Sequence, residues 1–273
     1  MSSLRMKYNL SASEKLTLVM LPIIGVLVSI IFSVPYIISV FLFYVIPATY
    51  LAFKFGHLWQ EKKAVIFSIV FATPFIVIVD YIGIKSGIWY TPHSLFATRF
   101  LSTIPFEDFV WMFAGTYTIV AIYETLLDKS KHELADRRMF YFILPAIFAL
   151  GVFFLLLLLG DPQIFSFNSK YTYLVLATIF FLLPALIFLI KFPKFFRKIL
   201  PLIGYFFYLT FLFEITATYL GQWIFNGQYI IPPLNVFGNA PIAWEELFFV
   251  GIIGPITGVA FYELFDNGNK NIT

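Results

Sequence analysis

Eight apolar runs of about 20 residues alternate with short polar segments along this chain, and each is long enough to form a membrane-spanning helix. They lie near 16–34, 36–53, 64–84, 107–127, 139–160, 171–190, 199–220 and 245–265. The first two almost touch. Pro35 separates them, and a proline there ends one helix and permits a tight turn before the next.

Basic residues set the direction of threading, because Lys and Arg concentrate in cytoplasmic loops. With eight spans and a cytoplasmic N-terminus, the inner side receives Arg5, Lys7, Lys15, Lys54, Lys62, Lys63, Lys129, Lys131, Arg137 and Arg138. It also receives Lys191, Lys194, Arg197, Lys198 and Lys270. Only Lys85, Arg99 and Lys170 fall outside, a ratio of fifteen to three. Removing the first span would put the N-terminal basic residues on the wrong side. The pattern therefore predicts a multi-pass protein of the cell membrane with both termini cytoplasmic.

Composition agrees. Of the 273 residues, 60% are hydrophobic and 12% charged, against about 25% charged in a soluble domain. Mean hydropathy is +0.89. This much apolar surface needs lipid as its solvent. The chain has no cysteine, and His57, His93 and His132 sit in separate polar segments without metal-ligand spacing. No Gly-rich phosphate loop or dinucleotide fingerprint is present. The expectation is no cofactor, no metal and no nucleic-acid partner. The N-terminus does not read as a cleaved signal peptide, since its first apolar run leads straight into a second.

The chain also repeats itself. Asp80, near the outer end of the third span, precedes Trp89 by nine residues, with Gly87 two before the Trp. Glu214, near the outer end of the seventh, precedes Trp223 by nine, with Gly221 two before it. Each half then passes through a polar, Pro-containing loop to an acidic pair, Glu107-Asp108 or Glu245-Glu246, that opens a helix ending in Tyr-Glu. Matching acidic pairs gives one offset. Matching Thr118 to Thr257 and Tyr123 to Tyr262 gives an offset one residue larger, which would place Glu246 opposite Glu107. With four spans per half, residues 1–133 and 134–273 form two parallel repeats about a pseudo-twofold axis along the membrane normal. The predicted fold class is an all-α bundle.

A carboxyl group in or near hydrocarbon is costly, and by default marks a functional site. Asp80, Glu107, Asp108, Glu214, Glu245 and Glu246 all fall in the outer half of the membrane in this topology. Acids in the first helical turn also suit the helix dipole, but dipole stabilisation does not explain the same arrangement twice. Trp89, Trp223, Trp111, Trp244, Tyr90 and Tyr117 gather on the same side. They fit an interfacial aromatic belt or an apolar cavity whose ring faces stabilise a cation. Glu124 and Glu263, at the other helix ends beside charged loops, read as solvated.

These motifs resemble the FAD-independent, heterodimeric-type lycopene cyclases. The residues that carry the resemblance are Asp80, Gly87, Trp89 and Pro105-Phe106-Glu107-Asp108, the last matching a Pro-x-Glu-Glu/Asp motif. In that family, two three-span units occur as separate subunits or fused. This chain looks like the fused form, over roughly 36–127 and 171–265, with spans 16–34 and 139–160 as an extra and a linker helix. In the second half Pro241 stands four residues before Glu245 rather than two. The resemblance implies a lipid-soluble polyene substrate, lycopene, and closure of its ψ ends into β-ionone rings to give γ- and β-carotene. That isomerisation needs an acid, a dry pocket that tolerates a carbocation, and a base. It points to Asp80, Glu107 and Asp108 as one catalytic group and Glu214, Glu245 and Glu246 as the other. A proton-coupled transporter and a non-catalytic carotenoid-binding protein are the alternatives. The outer position of the acids argues against the first, and the lack of a Lys within a predicted span argues against retinal attachment.

Overall fold

The computed structural model describes residues 10–55, 62–128, 139–227, 231–236 and 240–264. His57, His132 and the basic residues Arg5, Lys7, Lys129, Lys131, Arg137, Arg138 and Lys270 lie outside them. The fold is an all-α bundle. Its helices are α1 (Ala12–Phe32), α2 (36–55), α3 (Lys63–Lys85), α4 (Phe106–Asp128), α5 (Met139–Leu159), α6 (Thr172–Lys191), α7 (Phe195–Tyr219) and α8 (Trp244–Leu264). Every predicted span is a helix. Six are long and apolar enough to cross a membrane, while α2 and α5 contribute the shorter apolar stretches Tyr36–Ala52 and Ile143–Leu159. Seventeen residues rise about 25 Å, near the lower limit for crossing. The chain is a multi-pass membrane protein.

Of the six helices long enough to cross, α4 and α8 are the most enclosed and α1 the least. Helix α3 packs along α4, and α7 packs along α8. The outer faces of α1 and α5 present Ile31, Phe32, Phe148 and Leu158, as lipid-facing surfaces should.

Among the described residues, four short strands lie at one end of the bundle: β1 (Trp89–Tyr90), β2 (Ile224–Phe225), β3 (Leu234–Val236) and β4 (Ala240–Ile242). Strand β1 pairs antiparallel with β2, Trp89 opposite Phe225 and Tyr90 opposite Ile224. The loop after α3 is thereby joined to the loop after α7. The Gln222 amide donates to the Val34 carbonyl at the α1–α2 turn, at 2.6 Å, which brings that turn to the same face.

Several helices contain a wide, i→i+5 turn. Three end two residues before a proline: Phe41–Val45 before Pro47, Thr178–Leu182 before Pro184, and Leu247–Ile253 before Pro255. Proline lacks a donor, and its ring collides with the carbonyl four residues back. Widening the preceding turn relieves that collision. Backbone carbonyls freed in lipid must find other donors. Thr118 on α4 donates to the Tyr44 carbonyl at 3.1 Å, and Thr257 on α8 donates to the Phe181 carbonyl at 2.7 Å.

Candidate functional site

Helices α3 and α7 end alike. After α3, Ile88 N–H bonds to the Gly83 carbonyl at 2.9 Å and Gly87 N–H to Ile84 at 3.0 Å. After α7, Gln222 N–H bonds to Ala217 at 2.8 Å and Gly221 N–H to Thr218 at 3.1 Å. This double closure needs a left-handed residue, supplied by Gly87 (φ 68°) and Gly221 (φ 63°). The reversal folds Trp89 back over α3. Its ring lies so close to Gly83 that a Cβ there would fall 2.1 Å from it. Its Nε1 donates to Asp80 Oδ1 at 2.6 Å. Trp223 makes the same reversal, but its Nε1 has no hydrogen-bond partner among the described residues.

The acids that open α4 and α8 do not all face the same way. Pro105 precedes the first turn of α4, which carries both Glu107 and Asp108, each fully buried. Glu107 turns towards the loop. Its Oε1 accepts from Leu95 N–H at 2.6 Å and from the Ser94 hydroxyl at 2.9 Å, and its Oε2 from the same hydroxyl at 2.8 Å. Asp108 turns inward. It interacts with Asp80 and with the Tyr36 hydroxyl, and lies just outside ordinary hydrogen-bond geometry with both. In α8 the residue before the first turn is Ala243, since Pro241 belongs to β4 and pairs with Asn235. Glu246 is the inward acid there. It accepts a short hydrogen bond from Tyr173 and couples electrostatically to Glu214 and Asp80. Glu245 is also buried.

Asp80, Asp108, Glu214 and Glu246 thus form one cluster rather than two. Tyr36 senses Asp108, Asp80 and Glu214, and Tyr44 senses Glu214 and Glu246. The aromatic residues bind the cluster together. Trp89 and Trp223 stack with ring centres 6.3 Å apart and planes 19° apart. Trp111 lies 6.2 Å from Trp223, and Tyr36 lies 6.1 Å from it. Beyond Trp111 a narrow apolar cleft runs between Tyr44, Met112, Phe181, Phe206 and Gly254 to Phe71. Tyr117 is buried and stacks on Phe113, whereas Tyr90 and Trp244 lie exposed at the rim.

Three residues around the acids carry no signal in the sequence. Tyr36 and Tyr173 stand alone in apolar runs, with nothing in spacing to single them out. Arg99 looked like a loop cation. It braces the loop by donating to the carbonyls of Thr91 and Thr103, and its charge is felt by Asp80.

At the opposite end of α4 and α8 the expectation of solvated acids is corrected. Glu124 and Glu263 are 0% and 1% exposed. Tyr123 on α4 donates to Glu263 on α8, and Tyr262 on α8 donates to Glu124 on α4. Lys198 donates to Tyr123 at 2.9 Å and pairs with Asp128 at 3.4 Å, and Lys63 lies 4.2 Å over the Tyr262 ring. Each helix carries the partner the other helix requires. Among the described residues, no group of three or more His, Asp or Glu side chains could hold a metal ion.

Fold and site together define a polytopic membrane protein with an acid cluster enclosed by aromatic rings. Residues 33–126, which contain α2, α3 and most of α4, match the family model described as lycopene cyclase. Over that third of the chain the protein is similar to the lycopene cyclase family. No curated protein and no solved structure matches it.

Proposed function

We propose that the chain is a lycopene β-cyclase that closes β-ionone rings without a cofactor, by acid/base isomerisation inside the cell membrane, to give γ- and β-carotene. The observation that carries this reading is the burial of Asp80, Asp108, Glu214 and Glu246 together beside the stacked Trp89 and Trp223. Carboxylates this close repel one another, which favours holding a proton among them. A carboxylic acid can deliver that proton to the terminal double bond of the polyene. The second double bond then attacks the cation and closes the ring. A neighbouring carboxylate removes a proton from the ring, so the formula is unchanged and no electron is gained or lost. Indole faces stabilise the passing cation, and an apolar wall excludes the water that would trap it as an alcohol. In this reading the four inward acids do the chemistry, and Glu107 anchors the loop that roofs it.

The two halves, 1–133 and 134–273, are on this proposal repeats of one unit. Tyr36 against Asp108 has its counterpart in Tyr173 against Glu246, and Thr118 on Tyr44 in Thr257 on Phe181. The offset that differs by one residue then has a physical cause. Asp108 to Thr118 is regular helix, whereas the wide turn Leu247–Ile253 adds a residue between Glu246 and Thr257. Asp108 therefore corresponds to Glu246, and Glu107 to Glu245.

The test is expression in a bacterium that accumulates lycopene, followed by pigment extraction. The expected product is orange-yellow, bicyclic and equal in mass to lycopene. Purified protein in lipid should form it with no added flavin or nicotinamide. Unchanged red lycopene, or a strict need for either nucleotide, would refute the proposal.

A further inference from the structure

We propose that Tyr36 and Tyr173 are positioning residues that cross between the halves and join the two acid pairs into a single working site; this rests on the cyclase reading above. Both stand at the start of their helices, α2 and α6, and both are buried. Tyr173 donates to Glu246 of α8, while its ring lies edge-on to Trp89 at 5.2 Å. Trp89 in turn donates to Asp80 of α3 at 2.6 Å. Glu246 is thus linked to Asp80 through two side chains, one from each half. Tyr36 makes the corresponding contacts, although Trp223 Nε1 carries no bond onward to an acid among the described residues. Its hydroxyl faces Asp108 of α4, and its ring packs on Trp223 at 6.1 Å and on Phe213 at 6.4 Å.

Packing alone would be met by phenylalanine, which the chain uses 36 times. A buried phenol must satisfy its hydroxyl or pay for desolvating it. At these two positions the hydroxyl is aimed at the inward acid of its own half, while the ring presses on the tryptophan of the other. An acid that moves by about 1 Å can lose on the order of 10²-fold in rate. The tyrosines fix the acids, and through the stacked indoles each half senses the other.

The test uses the full chain in lipid, with Tyr36→Phe, Tyr173→Phe and the double variant. Phe keeps the ring and its contacts, so the fold should survive, as read by thermal unfolding. Each single change should lower kcat by about 10–100-fold with KM altered less than about threefold. The double should lose little more than the worse single, because the groups act as a unit. Infrared difference spectra supply a readout independent of turnover. The carboxyl band assigned to Glu246 by its loss in Glu246→Gln should shift in Tyr173→Phe. If Phe at 173 prevents folding, 3-fluorotyrosine there keeps the fold and should shift the same band. A shifted Glu246 band in Tyr173→Phe, found where the wild type does not cyclise lycopene, supports the bridge while the cyclase reading falls. An active wild type whose variants keep full kcat and an unshifted Glu246 band overturns the bridge. Single losses that simply multiply in the double overturn the single site.

Discussion

Adjacent acids on a helix point about 100° apart, so one residue of rotation decides which meets a polyene. Asp108 meets Asp80 and Tyr36, whereas Glu107 is held by Ser94 and the Leu95 amide. Asp108→Asn should therefore reduce cyclisation by about 10²–10⁴-fold, the range of general acid–base catalysis, with the protein still inserted. Glu107→Gln keeps an oxygen for the Leu95 amide and should cost less than about tenfold, mainly through loosening of the loop. Pigment formation at matched protein level checks both, and equal losses would show that the loop-facing acid also takes part. The sequence marks both pairs as unusual, because acids in apolar surroundings are rare whichever way they point. It cannot say which acid faces inward. Nor does it show Tyr36 or Tyr173, since an aromatic residue in an aromatic-rich chain carries no signal until its hydroxyl has a partner.

At the scale of the element, the helices follow from the hydrophobic pattern, and their ends follow from proline and glycine. All eight fall within a few residues of the predicted spans. What the pattern hides is the wide turn, because a helix that takes in one extra residue keeps the same composition. On the repeat proposal, the turn in α8 accounts for the one-residue difference between the two alignments. Pro241 stands four residues before Glu245 because it and Ile242 lie in β4, ahead of the cap residue Ala243. Gly83 offers a test at this scale. Alanine in a helix interior gains about 1 kcal/mol over glycine. Here its Cβ would meet Trp89, which is confined by Trp223, Tyr173 and Asp80. Overpacking of that kind costs about 1–3 kcal/mol, so the clash outweighs the gain. Gly83→Ala should lower the Tm and displace Trp89 from Asp80, with loss of activity. A Tm at or above wild type with full activity would contradict this.

For the whole molecule, the direction of threading is the property that charge predicts and folding alone does not fix. A reporter fused after Thr273 should be active only on the cytoplasmic side, and activity outside would reverse the orientation. The β1–β2 pairing, the stacked indoles and the Tyr–Glu pairs all join residues before 133 to residues after 134. Residues 1–133 and 134–273 made as two separate chains in one cell should accordingly assemble and cyclise lycopene, and neither alone should do so. Failure of the pair to assemble would show that covalent linkage is required. The Tyr–Glu exchange between α4 and α8 has a further meaning. Each helix ends in a tyrosine followed by a glutamate, and each donates to the other's acid. A contact of this form is isologous: two copies of the same helix, related by a twofold axis, would satisfy it equally well. On the proposal that the halves are repeats, this seam has the form of a homodimer interface whose two sides are free to diverge because one polypeptide supplies both.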